Sequence, residues 1–193
     1  MPLTKRLHSC KAFAIKPYPK ELEQEFCLQG RRAILLRPVK PEDERLYQGF
    51  VARVSPEDMR LRFFNAVKGL SPAFLARLTQ IDYARQMAFV ALDRQTGELL
   101  GVSRFEADSD LAAAEFAVMV RSDMHGQGLG WVLMQHLIDH ARALGVGELN
   151  GQILRENALM LKMADELGFR IEPDNDDHGV YRATLDLKRA AAI

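Results

Sequence analysis

Three glycines within five residues, in the segment Asp123-Met124-His125-Gly126-Gln127-Gly128-Leu129-Gly130, separate an apolar alternating run from a long amphipathic stretch. A strand, a glycine turn and a helix in that order make a site where successive backbone N–H groups turn inward and hold an anion. Gly126, Gly128 and Gly130 supply backbone angles closed to other residues. The turn fits neither of two common nucleotide loops. No Lys-Ser or Lys-Thr follows the glycines as a Walker loop requires, and no G-x-G-x-x-G stands near the chain start with an acid about twenty residues on.

The run before the turn, Ala114-Glu115-Phe116-Ala117-Val118-Met119-Val120, alternates in strand fashion and carries one carboxylate among apolar residues. An acid and a diphosphate cradle on one strand–turn–helix unit suit a group-transfer enzyme. Burial of Glu115 in that run is expected to raise its pKa toward the range useful to a general base. Downstream, Leu129, Val132, Leu133, Leu137, Ala141 and Leu144 recur at helical spacing and predict a helix over 129–144 ending at Gly145.

The remaining elements are read the same way. A hairpin is expected from 26–28 to 33–36 across a turn at 29–32. Helices open at Pro41, Ser55-Pro56 and Ser71-Pro72, the last two with a cap residue before proline. A meander of strands follows at 87–92, 99–107 and 113–120, then a strand at 148–154, a helix at 158–167 and a closing strand pair at 169–171 and 180–187. The order predicts an α/β chain with helices on both faces of one sheet and no internal repeat.

Val118-Met119-Val120 with His125-Gly126-Gln127-Gly128-Leu129-Gly130 resembles motif A of the GNAT acyl-CoA-dependent N-acetyltransferases, whose pattern is Gln or Arg, two residues, Gly, one residue, Gly or Ala. His125 stands at the Gln or Arg position. Arg155-Glu156-Asn157, Met160-Leu161 and Leu167-Gly168-Phe169 resemble the family's last helix and its closing Gly-Phe. The likeness implies a single domain, α/β, with a mixed, mostly antiparallel central sheet flanked by helices and strands splayed around the cofactor. It implies acetyl-CoA as acyl donor, no metal, and a cofactor site made of Val118, Met119, Val120, His125, Gly126, Gln127, Gly128, Leu129, Gly130 and Asn157. Asn157 serves equally as a helix cap. Ala164 stands where many family members have a tyrosine that protonates the leaving thiolate.

A closer likeness covers most of the chain. Leu36-Arg37-Pro38, Pro41-Glu42-Asp43, Leu61-Arg62-Phe63-Phe64, Ile81-Asp82-Tyr83 and Met87-Ala88-Phe89-Val90-Ala91 resemble the catalytic domain of bacterial Pat-type protein lysine acetyltransferases. This implies a lysine side chain as acceptor, for example on an AMP-forming acyl-CoA synthetase, attacking directly with Glu115 as base. A small-molecule amine acetyltransferase and a non-catalytic acetyl-CoA sensor are the alternatives. Asp82, Tyr83 and Arg85 either line the acceptor cleft or form a structural turn. Residues 1–30, in which Ile15 to Pro19 is similar to the end of the synthetase-like module often fused to Pat domains, read as an extension or linker remnant. Residues 31–190 read as the acetyltransferase domain.

Composition narrows the partners. Twenty-six basic and twenty-six acidic residues cancel, so no overall field draws in nucleic acid or an anionic membrane. No apolar run has signal-peptide or membrane-spanning length, and a cytoplasmic location is expected. Cys10 and Cys27 match neither a zinc nor a disulfide pattern and read as reduced thiols. His136 and His140, four apart, lack a third ligand and read as polar residues bordering the helix's apolar stripe.

Overall fold

The computed structural model describes residues 16–28, 32–64 and 71–188. Cys10 and the central residues of the expected 29–32 turn lie outside them. Eight strands form one sheet in the order β1-β2-β3-β4-β5-β6-β8-β7. They are β1 (Gln24–Cys27), β2 (Ala33–Pro38), β3 (Gln86–Asp93), β4 (Leu99–Ala107), β5 (Ala113–Val120), β6 (Glu148–Leu154), β7 (Arg170–Pro173) and β8 (Val180–Asp186). Every pairing is antiparallel except β5 with β6.

Among the described residues five α-helices cover the sheet: α1 (Glu44–Val51), α2 (Pro56–Phe63), α3 (Pro72–Thr79), α4 (Leu129–Leu144) and α5 (Ala158–Glu166). The alternation of each strand divides the interior in two. One core joins Met87, Phe89, Ala91, Phe105, Ala114 and Phe116 to Leu133, Leu137 and Ala141 of α4 and Ala164 of α5. The other joins Ala88, Val90 and Leu92 to Tyr47, Phe50, Met59 and Leu75 of α1 to α3. Helices therefore lie on both faces.

Local chemistry sets the helix starts. Ser55 and Ser71 precede proline, and each hydroxyl accepts a backbone N–H three residues on, from Asp58 at 3.0 Å and Phe74 at 3.2 Å. Arg37 and Asp43, both buried, tie β2 to the turn before α1 through two hydrogen bonds of 2.7 and 2.6 Å. The charge-assisted fork raises the Arg37 pKa against the opposing effect of burial.

Within the stretch set apart from sequence as 1–30, β1 pairs with β2, and Leu28 is buried. The sheet thus begins at Gln24, ahead of residue 31. Among the described residues no helix is long and apolar enough to cross a membrane.

Candidate functional site

The sheet opens where its two parallel strands part. β5 and β6 pair only through Ala113 with Glu148, Ala114 with Leu149 and Glu115 with Asn150, while β5 remains paired to β4 as far as Val120. The Arg121 N–H donates to Leu100 O at 2.9 Å and the Asp108 N–H to Ala113 O at 3.0 Å. Odd-numbered residues of β5 therefore present their backbone to β4. Alternation turns the N–H and C=O groups of Phe116, Val118 and Val120 toward the open side. Such a row of polar groups requires partners.

Packing is tight where the strands part. Phe116, the first residue beyond the paired segment, is buried against Phe169 with ring centroids 4.9 Å apart. Across the gap β6 carries Gly151, where a Cβ would lie 2.8 Å from Phe116 Cε1 and 3.0 Å from Cζ. The absence of that Cβ lets the ring pack closely over β6 at Gly151.

At the upper end of β5 the chain is anchored before it turns. Arg121, buried, donates to Asp123 at 2.9 and 2.6 Å and to Glu98 at 2.9 Å. Gly126 and Gly128 then take φ of 72° and 82°, which only glycine adopts without strain. Gly128 is the N-cap of α4 and brings no side-chain cap. The first-turn N–H groups of a sixteen-residue helix are left to an anion, which the helix dipole also favours.

Two expectations about this turn are corrected. Gly130 lies inside α4 and is absent from the positive-φ residues; a Cβ there would make only ordinary contacts, 3.5 Å to Met163 Sδ and 3.6 Å to Val120 Cγ2. Gln127 does not line the cleft, because its Nε2 donates to Asp123 O at 2.9 Å and braces the loop from outside.

Open edge and turn border one cleft of about 710 Å³. Val118, Met119, Val120, His125, Gly126, Gly128, Leu129, Gly130 and Asn157 line it, as does Glu115. Asn157 caps α5 by accepting the Met160 N–H at 3.1 Å, so capping and cleft lining coexist. Walls and rim add residues to which the sequence reading gave no site role. Asp58 of α2 accepts from Ser55 at 2.8 Å and from Ser122, which joins that helix to the turn; His125 Nε2 stands 3.9 Å from the same carboxylate. Arg60 reaches from α2 to Glu156 at the start of α5, 2.6 Å away. Phe64, Trp131 and Leu159, the exposed large hydrophobic residues of the described chain, all border the cleft.

Glu115 departs from expectation, for its side chain is exposed rather than buried. Strand alternation places it with Ala117 and Met119 on the face of α1 to α3, but here the cleft replaces a covering helix. Its cross-strand neighbour is Glu106, and Arg62 of α2 lies within its electrostatic reach.

Asp82, Tyr83 and Arg85 do not line the cleft. The Tyr83 hydroxyl donates to Val39 O at 2.6 Å, the Asp82 carboxylate accepts the Ala84 N–H at 2.9 Å, and Arg85 approaches Asp82 at 3.8 Å. This is a structural turn leading into β3. His136 and His140 pack edge-on against Phe89, and both Nε2 atoms are buried with no hydrogen-bond partner among the described residues; burial lowers both pKa values. Cys27 is an exposed free thiol.

An extended row of backbone partners ending at an uncapped helix start fits a ligand with an amide-bearing arm and a diphosphate, such as a coenzyme A thioester. The profile of the acetyltransferase (GNAT) domain matches residues 33–170. An acetyltransferase of Pseudomonas aeruginosa is 38% identical over 82% of this chain and 87% of its own length. The acetyltransferase Pat of Mycolicibacterium smegmatis is 36% identical over 69% of this chain, a match spanning 40% of that longer protein. Among solved structures, the GNAT domain of S. lividans PAT superposes with a TM-score of 0.82 at 25% identity, covering 88% of this chain and 99% of that one.

Proposed function

The chain belongs to the GNAT acetyltransferase family, and on that premise we propose that it acetylates the side-chain amine of a protein lysine, using acetyl-CoA. The observation that carries the cofactor half is the open edge of β5 from Phe116 to Val120 meeting the uncapped start of α4. The acceptor half rests on the likeness to Pat-type enzymes, which favours an AMP-forming acyl-CoA synthetase as the protein partner.

Bound acetyl-CoA supplies a thioester carbonyl on which the amine nitrogen forms a C–N bond as the C–S bond breaks. The chain's own groups prepare that exchange. A lysine ammonium has a reference pKa near 10.4 and must lose a proton before attack. Glu115, exposed at the lower end of the cleft, takes that proton through a water molecule. The Val118 and Val120 amides bind the pantetheine arm and polarise the acyl oxygen. The first turn of α4, with Gly126 and Gly128, holds the diphosphate. Ala164 is fully buried and offers no proton, so the thiolate, with a thiol pKa of about 8.5, is protonated by solvent.

The test measures coenzyme A release with an acyl-CoA synthetase and a panel of free amines as acceptors. Acetylation of the synthetase alone, lost in Glu115→Gln with acetyl-CoA affinity retained, is the expected result. Reaction with a free amine alone replaces the protein acceptor by a small molecule, and tight binding without transfer identifies a sensor.

A further inference from the structure

Among the described residues that line the cleft, Arg62 is a cation without an ion-pair partner. It lines the cavity on the same face of α2 as Asp58 and Leu61. Half-buried, it makes no hydrogen bond or ion pair with a described residue, and its guanidinium carbon rests 4.9 Å from the Phe63 ring centroid. Within its electrostatic reach is Arg104 of β4, whose side chain is 20% exposed and whose ion-pair approach among the described residues is 3.9 Å to the exposed Glu106. Burial, then the like charge of Arg104, hold the Arg62 pKa below its ordinary value, and Glu115 acts in the opposite sense.

Two poorly matched guanidinium groups thus stand where water is partly excluded. A planar fork with five N–H donors and no acceptor is unfavourable there. The same geometry binds a carboxylate through two parallel hydrogen bonds. Asp58, one turn earlier on α2, is the residue that meets Ser122 and His125 beside the glycine turn, whereas Arg62 is within electrostatic reach of Glu115, which groups it with the acceptor end rather than with the diphosphate.

We infer that Arg62 binds a carboxylate of the acceptor, so that the amine delivered to Glu115 comes from a molecule with an anionic group beside it. The inference rests on Glu115 marking the acceptor end of the cleft. An acidic side chain next to the target lysine and the α-carboxylate of a free amino acid present the same chemistry. Arg62 receives it while Glu115 takes the ammonium proton, and opposite charges at the two ends of the pair fix which way the acceptor enters.

The experiment compares matched acceptors with acetyl-CoA saturating: lysine peptides flanked by Glu or by Gln, and free amino acids against their amides. With the wild-type protein, kcat/KM is expected to favour the carboxylate member of at least one series by 10-fold or more, the series showing which source is used. In Arg62→Gln that preference ratio falls to near one, chiefly through KM. Arg62→Lys, which keeps the charge but not the fork, gives an intermediate ratio and decides the matter where Arg62→Gln does not fold. Equal rates for carboxylate and neutral acceptors in the wild type, or a ratio unchanged in both variants, overturn the inference while leaving acetyl transfer intact. Wild-type protein that transfers to no member of either series overturns the inference, and where an acyl-CoA synthetase run alongside is not acetylated either, the proposed function falls with it.

Discussion

Gly151→Ala tests the close packing of Phe116 on β6 where β5 and β6 part. The added methyl would sit 2.8 Å from Phe116 Cε1, 3.0 Å from Cζ and 3.1 Å from Cδ1. The ring has little freedom to retreat, being buried and held by Phe169. Overpacking of this kind costs about 1–3 kcal/mol. Restricting the unfolded chain by replacing glycine offsets about 0.5–1 kcal/mol of that, leaving a net loss of about 0.5–2 kcal/mol. For a chain of this size each kcal/mol moves Tm by roughly 2–4 °C, so the expected fall centres on about 4 °C by calorimetry. The control is Phe116→Leu, which lacks Cε1 and Cζ, the two atoms the methyl would meet most closely. In that background Gly151→Ala should cost nothing or stabilise slightly, a coupling of about 1–2 kcal/mol between the two sites. An equal loss in both backgrounds would refute the steric account.

Gly128→Ala, forced into φ of 82° with no atom near the new methyl, should lose about 1–2 kcal/mol from backbone strain alone. Gly130→Ala should stay within about 0.5 kcal/mol of the parent in chemical denaturation, and comparable losses would mean that Gly130 is not helical. Asp43→Ala strands the buried Arg37, now without its 2.7 and 2.6 Å hydrogen bonds, and should cost about 3–5 kcal/mol in urea unfolding. His136 and His140 have folded pKa values lowered by burial from an ordinary 6.5. The unfolded chain then binds more protons below that value, and stability should fall as pH drops through about 6.5 toward the folded pKa values. His136→Leu with His140→Leu should flatten the dependence measured between pH 5 and 7.

Elements whose pattern is local were legible in the sequence. β4, β5 and β6 alternate cleanly, Ser-Pro pairs open α2 and α3, and the 3.6-residue stripe beginning at Leu129 runs to Gly145 in the helix itself. Motif A drew attention to the glycine turn, and the Gly126 and Gly128 backbone supplies the positive φ expected of it. Properties set by the whole fold were not legible. The order β6-β8-β7 depends on which edge receives the last hairpin, and nothing inside Val180–Asp186 encodes that. Glu115 reads as buried among apolar neighbours, but alternation cannot say whether a helix or a cleft covers a given face. Arg62 and Asp58 belong to a short helix distant in sequence, and only packing brings them to the cleft. Glu156 stood within the quoted Arg155-Glu156-Asn157, yet its pairing with Arg60 spans 96 positions.

The cleft rim also carries the protein's one tryptophan. Trp131 sits in the first turn of α4, just past the glycine turn, 39% exposed. Its indole is therefore an optical probe already in place: under excitation selective for tryptophan, the whole emission arises at the mouth of the cleft, with no second indole to dilute it. Any occupant that covers the ring changes the local polarity, shifts the emission maximum and alters quenching by iodide. Occupancy becomes readable by titration in unlabelled protein, separately from whether transfer follows.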